Sequence, residues 1–137
     1  MRRAERERAL KLKVRQSRLE GRVTIPGSKS HTIRAVAIAS LASGKSRIVA
    51  PLDSADTLAA VDAYRAAGAR IDVGKDVWTV EGTGGAVGAP GGIVDVKNSG
   101  TTLRMALGTF ALMREGKATL TGDEQIQRRP AGPLAAS

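Results

Sequence analysis

Residues 29–34 of the chain read Lys-Ser-His-Thr-Ile-Arg, and residues 99–104 read Ser-Gly-Thr-Thr-Leu-Arg. The two stretches lie 70 positions apart, and Thr and Arg recur at the same places in both. Each follows a stretch with strand character and opens a stretch with helix character. Downstream, Gly44-Lys45 recurs as Gly116-Lys117, in both copies between the helix and the next strand. We therefore interpret the chain as one structural unit followed by part of a second.

The distribution of β-branched, apolar and turn-forming residues predicts the element order β-α-β-α-β-β and then β-α-β. The predicted strands are residues 21–25, 46–50, 69–73, 77–81, 93–97 and 118–122, and the predicted helices are residues 30–41, 56–67 and 101–113. Ser54 is the expected N-cap of the second helix, with Asp56 near the positive end of its dipole. The pattern indicates the α/β fold class.

The composition restricts the kinds of site that the chain can form. Its 137 residues include no Cys and a single His, so disulfides and thiolate metal sites are excluded, and His31 cannot form a metal site by itself. No apolar run is long enough to cross a bilayer, and residues 1–20 lack the apolar core of a signal peptide. We expect a cytoplasmic protein with no membrane partner.

The net charge of +9 is concentrated at the N-terminus. Residues 1–22 contain nine Lys or Arg and three Glu, which leaves +3 for the remainder. A basic arm of this kind can bind nucleic acid, but Tyr64, Trp78 and Phe110 are the only aromatic residues and are widely separated in the sequence. That spacing argues against a stacking platform for single strands. We expect residues 1–20 to be a solvated basic arm without a nucleic-acid partner, and a basic binding module remains an alternative.

The first copy of the repeat has the chemistry of an anion site. A helix N-terminus presents free backbone N–H groups and the positive end of a dipole, which suit phosphate or carboxylate. Lys29 and Ser30 stand at the predicted start, and Arg34 lies one turn beyond Ser30 on the same face. The alternative is a capped helix whose two cations lie in water.

The second copy favours the anion site. Residues 98–101 open another predicted helix, Gly100 permits close approach of a ligand to the backbone, and Arg104 repeats the position of Arg34. Arg129 directly precedes Pro130, the expected first residue of a further helix. Two such helix starts predict a substrate, or a pair of substrates, with several negative charges.

No acid–base pair accompanies these binding groups. Asp53 and Asp56 are expected to be helix caps, and His31 is expected to pack or to cap. The sequence therefore indicates binding groups without an evident proton shuttle.

Taken together, five segments resemble the 5-enolpyruvylshikimate-3-phosphate synthase family. They are Pro26-Gly27-Ser28-Lys29-Ser30 with Arg34-Ala35, Leu52-Asp53-Ser54 with Asp56-Thr57, Asn98-Ser99-Gly100-Thr101-Thr102 with Arg104, Leu120-Thr121-Gly122-Asp123, and Arg129-Pro130. The resemblance implies the enolpyruvyl transferase fold, in which each of two domains contains three βαβαββ units. This chain would hold the first unit and part of the second, with residues 21–137 as a partial N-terminal domain and the C-terminal domain absent.

The resemblance also implies an activity and a site. The family transfers the enolpyruvyl group of phosphoenolpyruvate to the 5-hydroxyl of shikimate 3-phosphate and releases phosphate, in the shikimate pathway to chorismate and the aromatic amino acids, without a metal or organic cofactor. Lys29 would contact both substrates and is the expected catalytic residue. The residues expected to bind substrate are Lys29, Ser30 and Arg34 for shikimate 3-phosphate, Lys29, Gly100 and Arg129 for phosphoenolpyruvate, and Asn98, Thr101 and Arg104 around the second pocket.

The chain departs from the family pattern at three points. Thr32-Ile33-Arg34 stands where the family has Ser-Asn-Arg, and Met105 stands where many members have proline. Whole members are about three times longer, as two-domain enzymes are, so we expect a fragment that is inactive alone and needs a complementary C-terminal fragment. The nearest alternative is the enzyme that transfers enolpyruvyl to UDP-N-acetylglucosamine, which carries Lys-Asn where this chain has Lys29-Ser30.

Overall fold

The structure is a computed structural model that describes residues 12–130 and 132–136. Residues 1–11 of the basic arm therefore lie outside the described part. In chain order the elements are α1 Lys29–Leu41, β1 Lys45–Val49, α2 Ala55–Ala66, β2 Arg70–Val73, β3 Val77–Glu81, β4 Ile93–Asp95, α3 Gly100–Phe110, β5 Thr119–Thr121, α4 Glu124–Gln127 and α5 Gly132–Ala135. The α/β class is as predicted.

Serine hydroxyls cap the three longer helices. Ser28 accepts the backbone N–H of His31, and Ser99 accepts that of Thr102 at 3.3 Å. Ser54 forms a reciprocal capping box with Thr57, which confirms the predicted N-cap of α2.

The expected roles of His31 and Asp53 are wrong. The side chain of His31 is exposed, and its backbone N–H is the group that receives a cap. Asp53 is exposed and precedes the cap of α2, where Ser54 supplies the oxygen. The hydroxyls of Ser28 in front of α1 and of Ser54 in front of α2 satisfy the free N–H groups instead.

Two sheets form. The first is antiparallel with strand order β1-β3-β2, and β2 and β3 are the predicted hairpin. The second is the parallel pair β4-β5, whose strands are connected through α3. Strand β4 stops at Asp95, two residues earlier than predicted, because the Asp95 carboxylate accepts the Lys97 N–H at 2.8 Å and Lys97 takes a φ of 54°.

The predicted strand at residues 21–25 is not formed. Val23 and Ile25 are 83% and 78% exposed, and no described strand pairs with this segment. Alternating β-branched residues favour extended backbone, but a strand also requires a neighbour to supply its hydrogen bonds. The described residues therefore follow the predicted element order from the first helix through the last predicted strand, without its first strand.

In the part of the chain that the structure describes, the core consists of two clusters that meet at α2. Trp78 and Val80 of β3 pack with Ile33 and Val36 of α1, and all four are fully buried. The second cluster joins α2 to β4, α3 and α4; its buried members are Ala63, Ala67, Val94, Val96, Ala106, Phe110 and Ile126. The buried hydroxyls of Tyr64 and Thr109, 3.1 Å apart, connect α2 with α3. This packing fixes the start of α3 relative to that of α1.

Replacing Tyr64 by Phe is expected to lower the free energy of unfolding by about 1–2 kcal/mol, because the Thr109 hydroxyl loses its partner in a buried site. Thr109→Val should have a similar cost, and the double variant should cost less than the sum. Urea unfolding of the wild type and the three variants measures these energies. Strictly additive costs would contradict the hydrogen bond.

The same tyrosine gives unfolding a pH dependence. Burial raises the pKa of Tyr64 above 10.0, with the Thr109 hydrogen bond opposing the rise to a smaller extent. The folded state therefore holds this proton more tightly than the unfolded state. The stability that it contributes is complete below pH 10 and is lost as the pH rises through the folded pKa, and Tyr64→Phe should remove that alkaline dependence.

A candidate anion-binding site at two helix starts

Three arginines from separate segments meet at one open cavity of about 400 Å³. Arg34 comes from α1, Arg104 from α3, and Arg129 from the turn after α4. The lining residues are Arg34, Gly100, Thr101, Arg104, Met105 and Arg129. Five of the eight residues expected to bind substrate therefore share this cavity, whereas Lys29, Ser30 and Asn98 are not in its lining.

Arg34 and Arg104 make the same local contact in the two copies of the repeat. Arg34 Nη1 donates to the Ser30 carbonyl at 3.1 Å, and Arg104 Nη1 donates to the Gly100 carbonyl at 3.2 Å. In the described part of the chain, no carboxylate pairs with Arg34, Arg104 or Arg129. The cavity is therefore cationic, with guanidinium N–H groups available to an anion such as phosphate or carboxylate.

Gly100 gives two of these guanidinium groups room to approach each other. A Cβ atom at this position would lie 2.8 Å from Arg129 Nη1 and 3.2 Å from Arg104 Nη1. Any side chain here would push the flexible ends of the arginines away from the start of α3. Gly100 is also the first residue of α3, so its N–H belongs to the positive end of the helix dipole.

Lys29 lies at the start of α1 and reaches across to α2. Its Nζ is 2.7 Å from Asp56 Oδ2, with the side chains 53% and 18% exposed. Asp56 lies in the first turn of α2 and Ser54 is the cap, so the expectation that Asp56 is a cap is wrong. The carboxylate instead holds the ammonium group of the expected catalytic lysine.

Asn98 contacts α4 rather than the cavity. Its Nδ2 donates to Asp123 Oδ2 and to Gln125 Oε1, the latter at 3.3 Å. The hydrogen bond from Asn98 is the largest cause of a lowered pKa of Asp123, followed by the backbone N–H of Ile126, and the charge of Arg129 contributes least.

Helix α4 was missed by the sequence pattern. Asp123 is its N-cap and accepts the Ile126 N–H at 3.0 Å. The signal was the Gly122-Asp123 pair directly after the last strand, an acidic cap in front of only four helical residues. The expected helix starting at Pro130 is also wrong: α4 ends before Arg128, and α5 begins at Gly132.

Two further features concern metals and membranes. Residues 12–130 and 132–136 contain no group of three His, Asp or Glu side chains that could hold a metal ion. None of the helices in these same ranges is long and apolar enough to cross a membrane. The expectation of a cytoplasmic protein stays a prediction.

The fold and the site define an α/β domain with a cationic cavity between Arg34 of α1 and the start of α3. Residues 14–137 match the sequence model of the family described as EPSP synthase (3-phosphoshikimate 1-carboxyvinyltransferase), and the chain belongs to this family. The predicted family is thereby confirmed.

Individual relatives agree with this assignment. The chain is 54% identical over 123 residues to the 3-phosphoshikimate 1-carboxyvinyltransferase of Acetivibrio thermocellus, covering 90% of this chain and 29% of that protein. It is 49% identical over 116 residues to the protein of the same name from Methanothermobacter thermautotrophicus, covering 85% of this chain and 27% of that protein. The chain therefore spans less than a third of the length of these relatives. Their shared name does not favour the UDP-N-acetylglucosamine alternative.

A solved structure has the same fold. The EPSP synthase from Acinetobacter baumannii matches with a TM-score of 0.78 at 30% sequence identity, over 85% of this chain and 27% of that one. The enolpyruvyl transferase fold predicted for this chain is thereby confirmed.

Proposed function

We propose that this chain forms one wall of a site that transfers the enolpyruvyl group of phosphoenolpyruvate to the 5-hydroxyl of shikimate 3-phosphate. The observation that carries the proposal is the cavity lined by Arg34, Arg104 and Arg129, none of which has a carboxylate partner among the described residues. Both substrates are anions with a phosphate group. Family membership supports this activity over other uses of a cationic cavity.

In this proposal the substrates divide between the two helix starts. Gly100 and Arg129 bind phosphoenolpyruvate, with Thr101 and Arg104 beside them. Ser30 and Arg34 bind shikimate 3-phosphate. The guanidinium groups and the dipole of α3 can orient two anions whose charges would otherwise repel each other.

The reaction then needs stabilisation of charge and transfer of protons. The 5-hydroxyl gives up its proton as its oxygen adds to the central carbon of the enolpyruvyl group, the methylene carbon takes a proton, and a tetrahedral intermediate forms. Loss of phosphate and of one methyl proton gives the enol ether. Lys29 and the arginines can stabilise the phosphate and carboxylate charges through this sequence without reorganising.

We further propose that groups beyond this chain complete the site. The cavity is open, and its described lining has no carboxylate or histidine to move a proton. The matched relatives are more than three times longer than the portion that this chain covers. A C-terminal portion, in one polypeptide or as a separate complementary fragment, would close the cleft and supply those groups, and this chain alone would be inactive.

An apolar groove between α1 and α3 supports a further packing partner. It is lined by Ala37, Ile38, Leu41, Tyr64, Met105, Gly108, Thr109 and Leu112. Ile38 is 68% exposed and Leu112 is 56% exposed. An exposed groove of this kind favours a covering element from the rest of the fold.

A chimera tests the proposed activity. Residues 14–136 of this chain would replace the matched segment of the Acetivibrio thermocellus relative, which is 54% identical over 123 residues. We expect phosphate release from phosphoenolpyruvate that depends on shikimate 3-phosphate and not on UDP-N-acetylglucosamine, whereas the isolated chain should release none. A folded chimera that is inactive with both acceptors would contradict the proposal.

A further inference from the structure

The contacts around Asp123 connect the start of α3 with α4. Asp123 Oδ1 accepts the Ile126 N–H at 3.0 Å, and Oδ2 accepts the side-chain amide of Asn98. The backbone N–H of Asp123 donates to the Lys97 carbonyl at 2.9 Å. One aspartate therefore caps α4 and ties it to the two residues that precede the cap of α3 at Ser99.

Arg129 is held beside Gly100 through α4. Its backbone N–H donates to the Ile126 carbonyl at 3.0 Å, and Ile126 is 3% exposed in the second core cluster. Within residues 12–130 and 132–136, the guanidinium of Arg129 has no hydrogen-bond or ion-pair partner. Its proximity to the start of α3 therefore depends on where α4 places its backbone.

We propose that Asn98 and Asp123 form a clamp that positions Arg129 at the anion site. Asn98 then acts on the substrate through Arg129, and Asp123 is a positioning residue although it carries a negative charge near an anion site. The identity of the bound anion rests on the proposed function, whereas the geometry of the clamp does not. Breaking the Asn98–Asp123 bond should leave α4 folded and let Arg129 move away from Gly100.

Because Asp123 is negatively charged, the direction of the change in anion affinity distinguishes two explanations of its role. If Asp123 acted only by repelling the anion, its removal would strengthen anion binding. If it acts through the clamp, its removal should weaken anion binding because Arg129 is displaced. The two readings predict opposite changes.

The experiment uses the full chain with Asp123→Asn and Asn98→Ala. Asparagine is a good N-cap, so the side-chain oxygen of Asp123→Asn can still accept the Ile126 N–H. The second carboxylate oxygen, which accepts from Asn98, is lost. Glu124→Gln is the matched control, because Glu124 is the adjacent carboxylate, is 86% exposed and pairs with Arg128. It removes the same charge and leaves the clamp intact.

Two NMR readouts are measured. Without ligand, the nuclear Overhauser effect between the Gly100 amide proton and the Arg129 side chain should weaken in both clamp variants and persist in the control. In a titration with inorganic phosphate, the clamp variants should bind about 3- to 10-fold more weakly than the wild type, the range expected for one hydrogen bond. Glu124→Gln should bind as the wild type does or slightly more tightly.

The outcomes separate the clamp from the proposed function. An unchanged Overhauser effect in the folded clamp variants would overturn the clamp, as would tighter phosphate binding by Asp123→Asn. If the wild type binds no phosphate but the Overhauser effect is lost in both variants, the clamp is supported and the anion site is refuted. Should Asp123→Asn unfold, Asn98→Ala decides, because it leaves the cap of α4 untouched.

Discussion

Arg129→Gln is expected to weaken binding of phosphoenolpyruvate to the chimeric enzyme about 10- to 100-fold, the loss typical of a hydrogen bond between two charged groups. Arg129 lines the cavity, lies next to Gly100 and has no carboxylate partner in the described part of the chain. Glutamine keeps a polar side chain of moderate length but removes the positive charge and the planar fork. The KM for phosphoenolpyruvate and its dissociation constant by calorimetry measure the loss.

The neighbouring arginine supplies the control. Arg128 pairs with Glu124 at 3.2 Å, is 79% exposed and does not line the cavity. Arg128→Gln removes the same charge one residue away and should change binding by less than about 2-fold, as is usual for an exposed ion pair. Equal losses in the two variants would mean that overall charge, and not a placed guanidinium, determines the affinity.

The Ser54 cap and the three longer helices could be predicted because their determinants are local. Ser54 is followed three residues later by Thr57, and both members of the capping box lie in one stretch of sequence. The β2–β3 hairpin is equally local. The strand predicted at residues 21–25 was wrong because alternating residues carry no information about which strand they would pair with. The described residues contain no strand that pairs with this segment.

Only the part of the site that the sequence repeat contains could be predicted. Arg34 and Arg104 recur 70 positions apart, and the structure gives them the same contact with a carbonyl one turn earlier. The bond between Asn98 and Asp123 joins residues 25 positions apart and depends on α4, which is too short to produce a helical pattern. Asn98 was therefore expected in the pocket, and its contact with α4 could not be foreseen.

The pairing of Lys29 with Asp56 likewise depends on the packing of α1 against α2. Sequence reasoning assigned Lys29 to substrate and Asp56 to a helix terminus, and it did not connect them. The contact is compatible with substrate binding, because an ammonium group has three N–H donors and Asp56 accepts one at 2.7 Å. The remaining two can point to anions at the start of α1.

Lys29→Ala is expected to lower kcat/KM of the chimeric enzyme about 10²- to 10³-fold, the loss typical of removing one donor that stabilises transition-state charge. Binding of both substrates should weaken, since Lys29 is proposed to contact both. Lys75→Ala is the matched control, because Lys75 is an exposed lysine in the turn between β2 and β3. Steady-state kinetics and calorimetry with shikimate 3-phosphate measure the two effects, and equal binding in wild type and Lys29→Ala would refute the role of Lys29.

The Asp56 carboxylate should account for part of that loss. Lys29→Ala leaves the 18% exposed Asp56 without its cation, so its charge repels the incoming phosphates. In an Asp56→Asn background the lysine has no carboxylate partner, and its removal no longer leaves a partly buried negative charge unpaired. The loss caused by Lys29→Ala should therefore be smaller in that background than in the wild type. The same loss in both backgrounds would show that Lys29 acts on substrate independently of Asp56, and a larger one would show that the carboxylate competes with substrate for the ammonium group.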